Sequence, residues 1–228
     1  MENTYPDGFI PAKENKYVIW FFKWYSFFLF KLRFKNVFFR SEYQPDNNDS
    51  TLILANHHSW WDGIIPLLIN EFEFNQNARA VMENTQIKKY PFFSRIGAYS
   101  IDRMNIKSAI FSLDYGAQWL NKPNNSLFIY PEGKITSVTS PIIVEQGFLK
   151  IIKQSPNAKI VLLTIYINSI THSKPNLYLD IHGPVQLIDN HDKSKTVKLI
   201  NDLMNERRTL IGNQSLSDPE IYDFKKLV

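Results

Sequence analysis

Three short apolar runs, Leu52 to Ala55, Leu127 to Tyr130 and Ile160 to Ile167, restrict the fold of this chain more than any other feature. Each is bounded by polar residues and hardly alternates, the pattern of a strand covered on both faces. A fourth run, Leu177 to Ile181, alternates better and reads as an edge strand. Between them lie helical patterns. In Asn105 to Asn121, the residues Ile106, Ala109, Ile110, Leu113, Ala117 and Leu120 recur at steps of three and four, with Asn105 placed to cap. Ser194 to Leu210 repeats this with Val197, Ile200, Leu203 and Met204. Strands interleaved with such helices predict an α/β fold: a mixed, largely parallel sheet flanked by helices. The 228 residues suffice for one such domain with a sizeable core.

The segment before it has a different character. Thirteen aromatic residues fall between Tyr17 and Tyr43, with Lys23, Lys31, Arg33, Lys35 and Arg40 among them and no acid before Glu42. Neither Gly nor Pro occurs between Pro11 and Pro45, so helix can run through. The nearly uncharged stretch from Lys16 to Lys31 is interrupted by Lys23 and falls short of the roughly 20 residues of a bilayer span. It also begins late for a signal peptide and lacks a small-residue cleavage site. Aromatic rings interspersed with long cationic side chains suit the headgroup boundary. The expectation is an N-terminal aromatic-rich helical membrane-interface arm over residues 1–45, then a catalytic domain over 46–228. The turn-forming run Gln44 to Ser50 lies at the join.

In open α/β sheets, sites gather where strands end and loops begin. Two strand ends carry chemistry here. The first continues Asn56-His57-His58-Ser59-Trp60-Trp61-Asp62. An imidazole can take a proton near neutral pH when a carboxylate on its other nitrogen holds the tautomer. Five residues on a straight helix place His57 and Asp62 roughly 140° apart. His57 must therefore lie in the turn, with Asp62 in the first helical turn behind it. His58 is a rival on spacing alone. The second strand end is Pro131-Glu132-Gly133, which sets a carboxylate over the sheet edge where glycine lets the backbone turn. A third segment contains Gly97, Ile101 and Arg103, and Arg103 offers a planar fork for phosphate or carboxylate.

Composition closes several routes. With no cysteine, disulfides, zinc–thiolate sites and acyl-cysteine intermediates are excluded. A formal charge of +4 gives no case for nucleic acid. A metallohydrolase built on His57, His58 and Asp62 lacks a further ligand cluster, because His172, His182 and His191 sit singly. No metal or cofactor is expected.

Taken in order, the three segments resemble the glycerolipid acyltransferase family, typified by lysophosphatidic acid acyltransferases. Its Asn-His-x4-Asp block matches at Asn56, His57 and Asp62, its Gly-x3-Ile-x-Arg block at Gly97, Ile101 and Arg103, and its Pro-Glu-Gly block at Pro131, Glu132 and Gly133. Val144 to Lys150 is similar to the glycine-bearing segment that follows. The resemblance covers roughly residues 50 to 170 and selects His57 over His58 as base.

It implies acyl transfer from a thioester, acyl-CoA or acyl-ACP, to a lyso-lipid hydroxyl in membrane-lipid biosynthesis, with 1-acyl-glycerol-3-phosphate the favoured acceptor. His57 and Asp62 would be catalytic. Arg103, Glu132, Gly133, Lys134 and Asn56 would bind substrate, and amides near Ser59 or Gly133 would serve a developing oxyanion. The expected place of work is the cytoplasmic face of a membrane. Two departures stand out. The family's third block continues Thr-Arg-Ser, whereas this chain has Lys134-Ile135-Thr136, and Val161 to Tyr166 lacks the family's proline. A non-phosphate acceptor, such as an amino-acid-containing lyso-lipid or a hydroxylated pigment, is the alternative. A non-catalytic membrane lipid-binding protein is the alternative outside enzymology.

Overall fold

A computed structural model describes residues 5–170, 172–187 and 192–228. The continuous apolar runs became the middle of one sheet. β2 (Thr51–Ala55) lies between β5 (Asn125–Ile129) and β6 (Lys159–Asn168), parallel to both, and every residue of β2 and β5 is buried. β3 (Asn77–Glu83) and β4 (Ala98–Ile101) extend the parallel block beyond β5. On the other side β7 (Asn176–His182) pairs antiparallel with β6 and parallel with β1 (Val37–Ser41), which pairs antiparallel with β8 (Lys225–Lys226). The order is β4-β3-β5-β2-β6-β7-β1-β8, a mixed and largely parallel sheet as the sequence pattern predicts.

Two expectations are corrected. The run Leu177 to Ile181 is not an edge strand, because β1 covers its outer side with Val37 opposite Leu177 and Phe39 opposite Leu179. β1 comes from the segment assigned to the arm. Phe30, Phe34, Val37 and Phe39 are buried in the same core as Ile53 and Val161, so the boundary at residue 45 does not divide two cores.

Side chains of β2 alternate between two apolar layers, as a period of two requires. Ile53 and Ala55 face a layer shared with α1 (Lys16–Arg33) and α2 (Ile65–Ile69). Leu52 and Leu54 face one shared with α5 (Ile106–Leu120), α6 (Gly147–Gln154) and α7 (Lys193–Gln214). Short α3 (Asn84–Lys89) and α4 (Phe92–Arg95) join β3 to β4. Asn105 caps α5 by accepting from the Ser108 amide at 3.2 Å. Ala117 and Leu120 are buried as expected, whereas Ile106 and Ile110 project into solvent.

α1 starts at Asn15, whose side chain accepts from the amides of Tyr17 and Val18, and carries Lys31 and Arg33 in its last turn, where cations complement the helix dipole. Its inner side seats Phe30 against Trp61, and Phe22 stacks on Phe92. Its outer side leaves Tyr17, Trp20, Phe21, Phe28 and Leu32 more than half exposed. No helix among the described residues is long and apolar enough to cross a membrane.

Candidate active site

Register brings the sequence blocks together. Leu54 lies opposite Ile129 in the β2–β5 ladder, so His57 and Glu132, each three residues further on, leave adjacent strands at one height. Glu83 lies opposite Ile101 between β3 and β4, which brings Arg103 to the same edge. Gly97 allows this: its φ is +103°, and a Cβ there would stand 2.5 Å from the Ala78 carbonyl oxygen.

After β2 the chain turns through His57 into a single 3-10 turn, Trp60–Gly63, with Ser59 as its cap. Asp62 sits in that turn with no solvent exposure. Its Oδ2 accepts from the amides of His58 at 2.8 Å and Ser59 at 2.9 Å, and its Oδ1 from the Ser59 hydroxyl at 2.5 Å. His57 Nδ1 lies 2.8 Å from Oδ2. With both oxygens accepting from amide and hydroxyl donors, Asp62 is placed to accept from His57 as well, and Nδ1–H is the donor. Nε2 is left with its lone pair, and it makes no hydrogen bond among the described residues. The ring packs on Tyr130 at 4.7 Å between centroids, and the Tyr130 hydroxyl donates to the Asp62 main-chain carbonyl. Burial, and then the Asp62 charge, hold the Tyr130 phenol well above its ordinary pKa, so it stays a donor.

His58 takes a different part. Asn56 Nδ2 donates to its Nδ1 at 3.0 Å, and burial pushes its pKa down, against the pull of Asp62 and Glu132. It is therefore a neutral ring packed behind the turn. Asn56 was expected at the substrate. Instead it is buried and bonds both ways with the Ile165 backbone, at 3.0 and 2.7 Å, tying the turn to β6.

Glu132 is likewise corrected. Its Oε1 accepts from the His57 amide at 2.7 Å and its Oε2 from the Thr136 hydroxyl at 2.6 Å, and it is buried away from the cleft. Thr136 returns the tie, its amide donating to the His57 carbonyl at 2.9 Å. Lys134 is exposed and outside the cleft lining. The Ser59 amide is taken by Asp62 and the Gly133 amide by the Tyr130 carbonyl, which leaves those of Lys134 and Ile135 without a bond among the described residues.

A cleft of about 680 Å³ opens in front of His57, within the range of small-ligand sites. Val81, Met82, Phe93, Ile101, Leu113, Ile129 and Phe148 make its walls apolar, and Trp60, Glu83, Gln86, Arg103, Gly133 and Glu145 also line it. Trp61 points the other way, onto Phe30 and Phe34. Arg103 donates to the Gly133 carbonyl and to Glu145. Gly133 has φ +65°, which L side chains rarely adopt, and a Cβ there would stand 2.6 Å from the guanidinium carbon and push Arg103 aside. Tyr130, Thr136, Glu83 and Glu145 were not singled out from sequence, although all four lie within the span of the resemblance. His172 and His182 lie elsewhere, on Lys35 and Glu42, and His191 is outside the described residues. Among the described residues no group of three or more His, Cys, Asp or Glu is placed to hold a metal ion.

A family model described as Acyltransferase matches residues 36–170. The chain belongs to the acyltransferase family. Among solved structures, this acyltransferase is similar to the 1-acyl-sn-glycerophosphate acyltransferase PlsC of Thermotoga maritima. The TM-score is 0.55 at 18% identity, covering 84% of this chain and 80% of that one. That likeness establishes the shared fold. A comparison with curated protein sequences gave no match. The family match begins at residue 36, so it counts β1 as part of the acyltransferase, as the sheet does.

Proposed function

We propose that this acyltransferase moves a fatty acyl group from a thioester, acyl-CoA or acyl-ACP, to a hydroxyl of a lyso-lipid at a membrane surface. One observation carries the reading: His57 Nδ1 is held at 2.8 Å by a buried aspartate, while its other nitrogen is free beside an apolar cleft. In the reaction Nε2 takes the proton of the acceptor hydroxyl as its oxygen attacks the thioester carbonyl. The tetrahedral oxyanion collapses, the C–S bond breaks, and the imidazolium returns the proton to the departing thiolate. Asp62 stabilises the imidazolium between these steps. The enzyme supplies no nucleophile, so free thiol and ester appear together without an acyl-enzyme.

The exposed aromatic side of α1, with Lys16, Lys31 and Arg33 beside it, supports a peripheral seat in the headgroup layer of the cytoplasmic face. The acceptor named for the Thermotoga protein, 1-acyl-glycerol-3-phosphate, is the first to test, with Arg103 as its phosphate contact. A second reading, a non-phosphate acceptor, is favoured by the pairing of Arg103 with Glu145.

The test is purified protein on vesicles holding a lyso-lipid, with acyl-CoA or acyl-ACP, following thiol release and acylated product by mass spectrometry. Coupled appearance of both, lost in His57→Ala, is expected. Lipid binding with no thiol release from any donor would refute the reading in favour of a non-catalytic lipid binder.

A further inference from the structure

The charges around the cleft do not suit a phosphate monoester. Apart from His57, its lining holds one cation, Arg103, against two carboxylates, Glu83 and Glu145. Glu145 and the Gly133 carbonyl each already accept from one terminal nitrogen of Arg103. A phosphate monoester would bring a charge of about −1.5 to −2 to a largely apolar wall where the carboxylates already outnumber the guanidinium. Lys88, Lys89, Lys107 and Lys134, the cations near the lining in sequence, are exposed and outside it.

Glu83 is the group left over. It ends β3 as a part-buried carboxylate and makes no hydrogen bond or ion pair among the described residues. Arg103 acts on it only at a distance, and Asp102 opposes that help. Burial raises its pKa, the mark of a carboxylate short of partners. Gln86, on the following helix α3, and Tyr90, just after it, line the same cleft, and Lys89 stands over the Tyr90 ring at 5.2 Å. An unpaired carboxylate in an apolar cleft suits an ammonium group, which offers three donors and a positive charge.

We propose that Glu83 selects the acceptor and that the acceptor's headgroup carries an ammonium, as in an ethanolamine-bearing or amino-acid-containing lyso-lipid. The proposal rests on the lyso-lipid reading above. Glu83 contacts the headgroup and leaves the proton transfer to His57.

Matched acceptors test it. N-acetylation of lysophosphatidylethanolamine removes the charge on nitrogen and adds an acetyl group, and a lyso-lipid built on an amino acid with a free amine can be compared with its N-acetyl form likewise; the Glu83→Gln arm separates charge from bulk. Each is presented in vesicles with acyl-CoA or acyl-ACP to the intact protein and to Glu83→Gln, with melting temperatures measured alongside. In at least one pair the intact protein should show kcat/KM about 10- to 100-fold higher for the free amine, the range of a charge-assisted hydrogen bond. Glu83→Gln should collapse that ratio toward one. Equal use of both members of every pair, or a preference that survives in Glu83→Gln, overturns the proposal and leaves the lyso-lipid reading standing. Absence of thiol release with all four, and with 1-acyl-glycerol-3-phosphate, overturns both. Because the readout is a ratio within one protein, partial misfolding of the variant cancels.

Discussion

Glu132 Oε1 accepts the backbone N–H of His57 at 2.7 Å, so the third sequence block holds the first by its main chain. This bond sets the height of the imidazole over the β2–β5 edge. Glu132→Ala leaves a part-buried amide unpaired, which costs about 1–3 kcal/mol. It also frees Thr136 from its bond to Oε2. The expected outcome is a lower melting temperature and a kcat reduced more than KM is raised. Glu132→Gln, which keeps an acceptor for the amide, should recover most of both. A Glu132→Ala variant with unchanged kcat and raised acceptor KM would instead return this residue to the substrate.

Loss of His57 removes the imidazole that faces the cleft, and His57→Ala should lower turnover by roughly 10²- to 10⁴-fold, the usual share of general-base catalysis. Asp62→Asn is a sharper test. Its carboxylate accepts from four donors, counting His57, and an amide nitrogen in place of either oxygen would face donors. The variant should therefore lose stability as well as activity, whereas His57→Ala should lose activity alone. Melting curves beside steady-state rates separate the two.

The parts of this architecture written in local pattern were readable. β2, β5 and β6 are buried on both faces and so appear as apolar runs, and the His57–Asp62 pair is five residues long. What failed was non-local. Leu177 to Ile181 reads as an edge only if β1 is overlooked, and β1 is hidden in an aromatic stretch whose outer rings resemble an interfacial helix. Asn56 and Glu132 were given to the substrate because sequence shows a polar side chain but not its partner. Each bonds a distant backbone group, of Ile165 or His57, besides a nearby side chain, and no residue type marks a backbone group. Glu83 went unnoticed for the converse reason: a lone acid at a strand end has no spacing to recognise.

Gly133→Ala should injure the site without touching the base. The residue has φ +65°, and its new Cβ would lie 2.6 Å from the Arg103 guanidinium carbon. Left-handed backbone costs a non-glycine residue about 1–2 kcal/mol. Arg103 must also move, because it bonds to the Gly133 carbonyl. A lower melting temperature with a raised acceptor KM is expected. Arg103→Lys should raise KM with little change in melting, since one ammonium does not reproduce a planar fork bridging Gly133 and Glu145.

The His58 pKa, depressed by burial, gives stability a pH dependence with a definite sign. Above the unfolded value of about 6.5 the ring is neutral in both states and contributes no slope. As pH falls below it, the unfolded chain takes up a proton that the folded chain refuses, so stability declines toward the lower folded pKa. Chemical denaturation between pH 7.5 and 5 should show this decline, and His58→Phe, similar in size and unable to titrate, should flatten it. An identical slope in the variant would assign the effect to other groups.

The outer side of α1 makes the last expectation. Trp20 and Phe28 are 65% and 60% exposed, so replacing them disturbs little packing. Each such ring is worth about 1.5–3 kcal/mol when withdrawn from water. Trp20→Glu with Phe28→Glu also adds two negative charges among Lys16, Lys31 and Arg33. Co-sedimentation with anionic vesicles should weaken by at least about 100-fold, with an unchanged melting temperature. The intact protein should lose part of its binding as salt is raised, because screening weakens the cationic share and leaves the aromatic share. Vesicle binding by the double variant equal to that of the intact chain would show that this helix face is not the membrane seat.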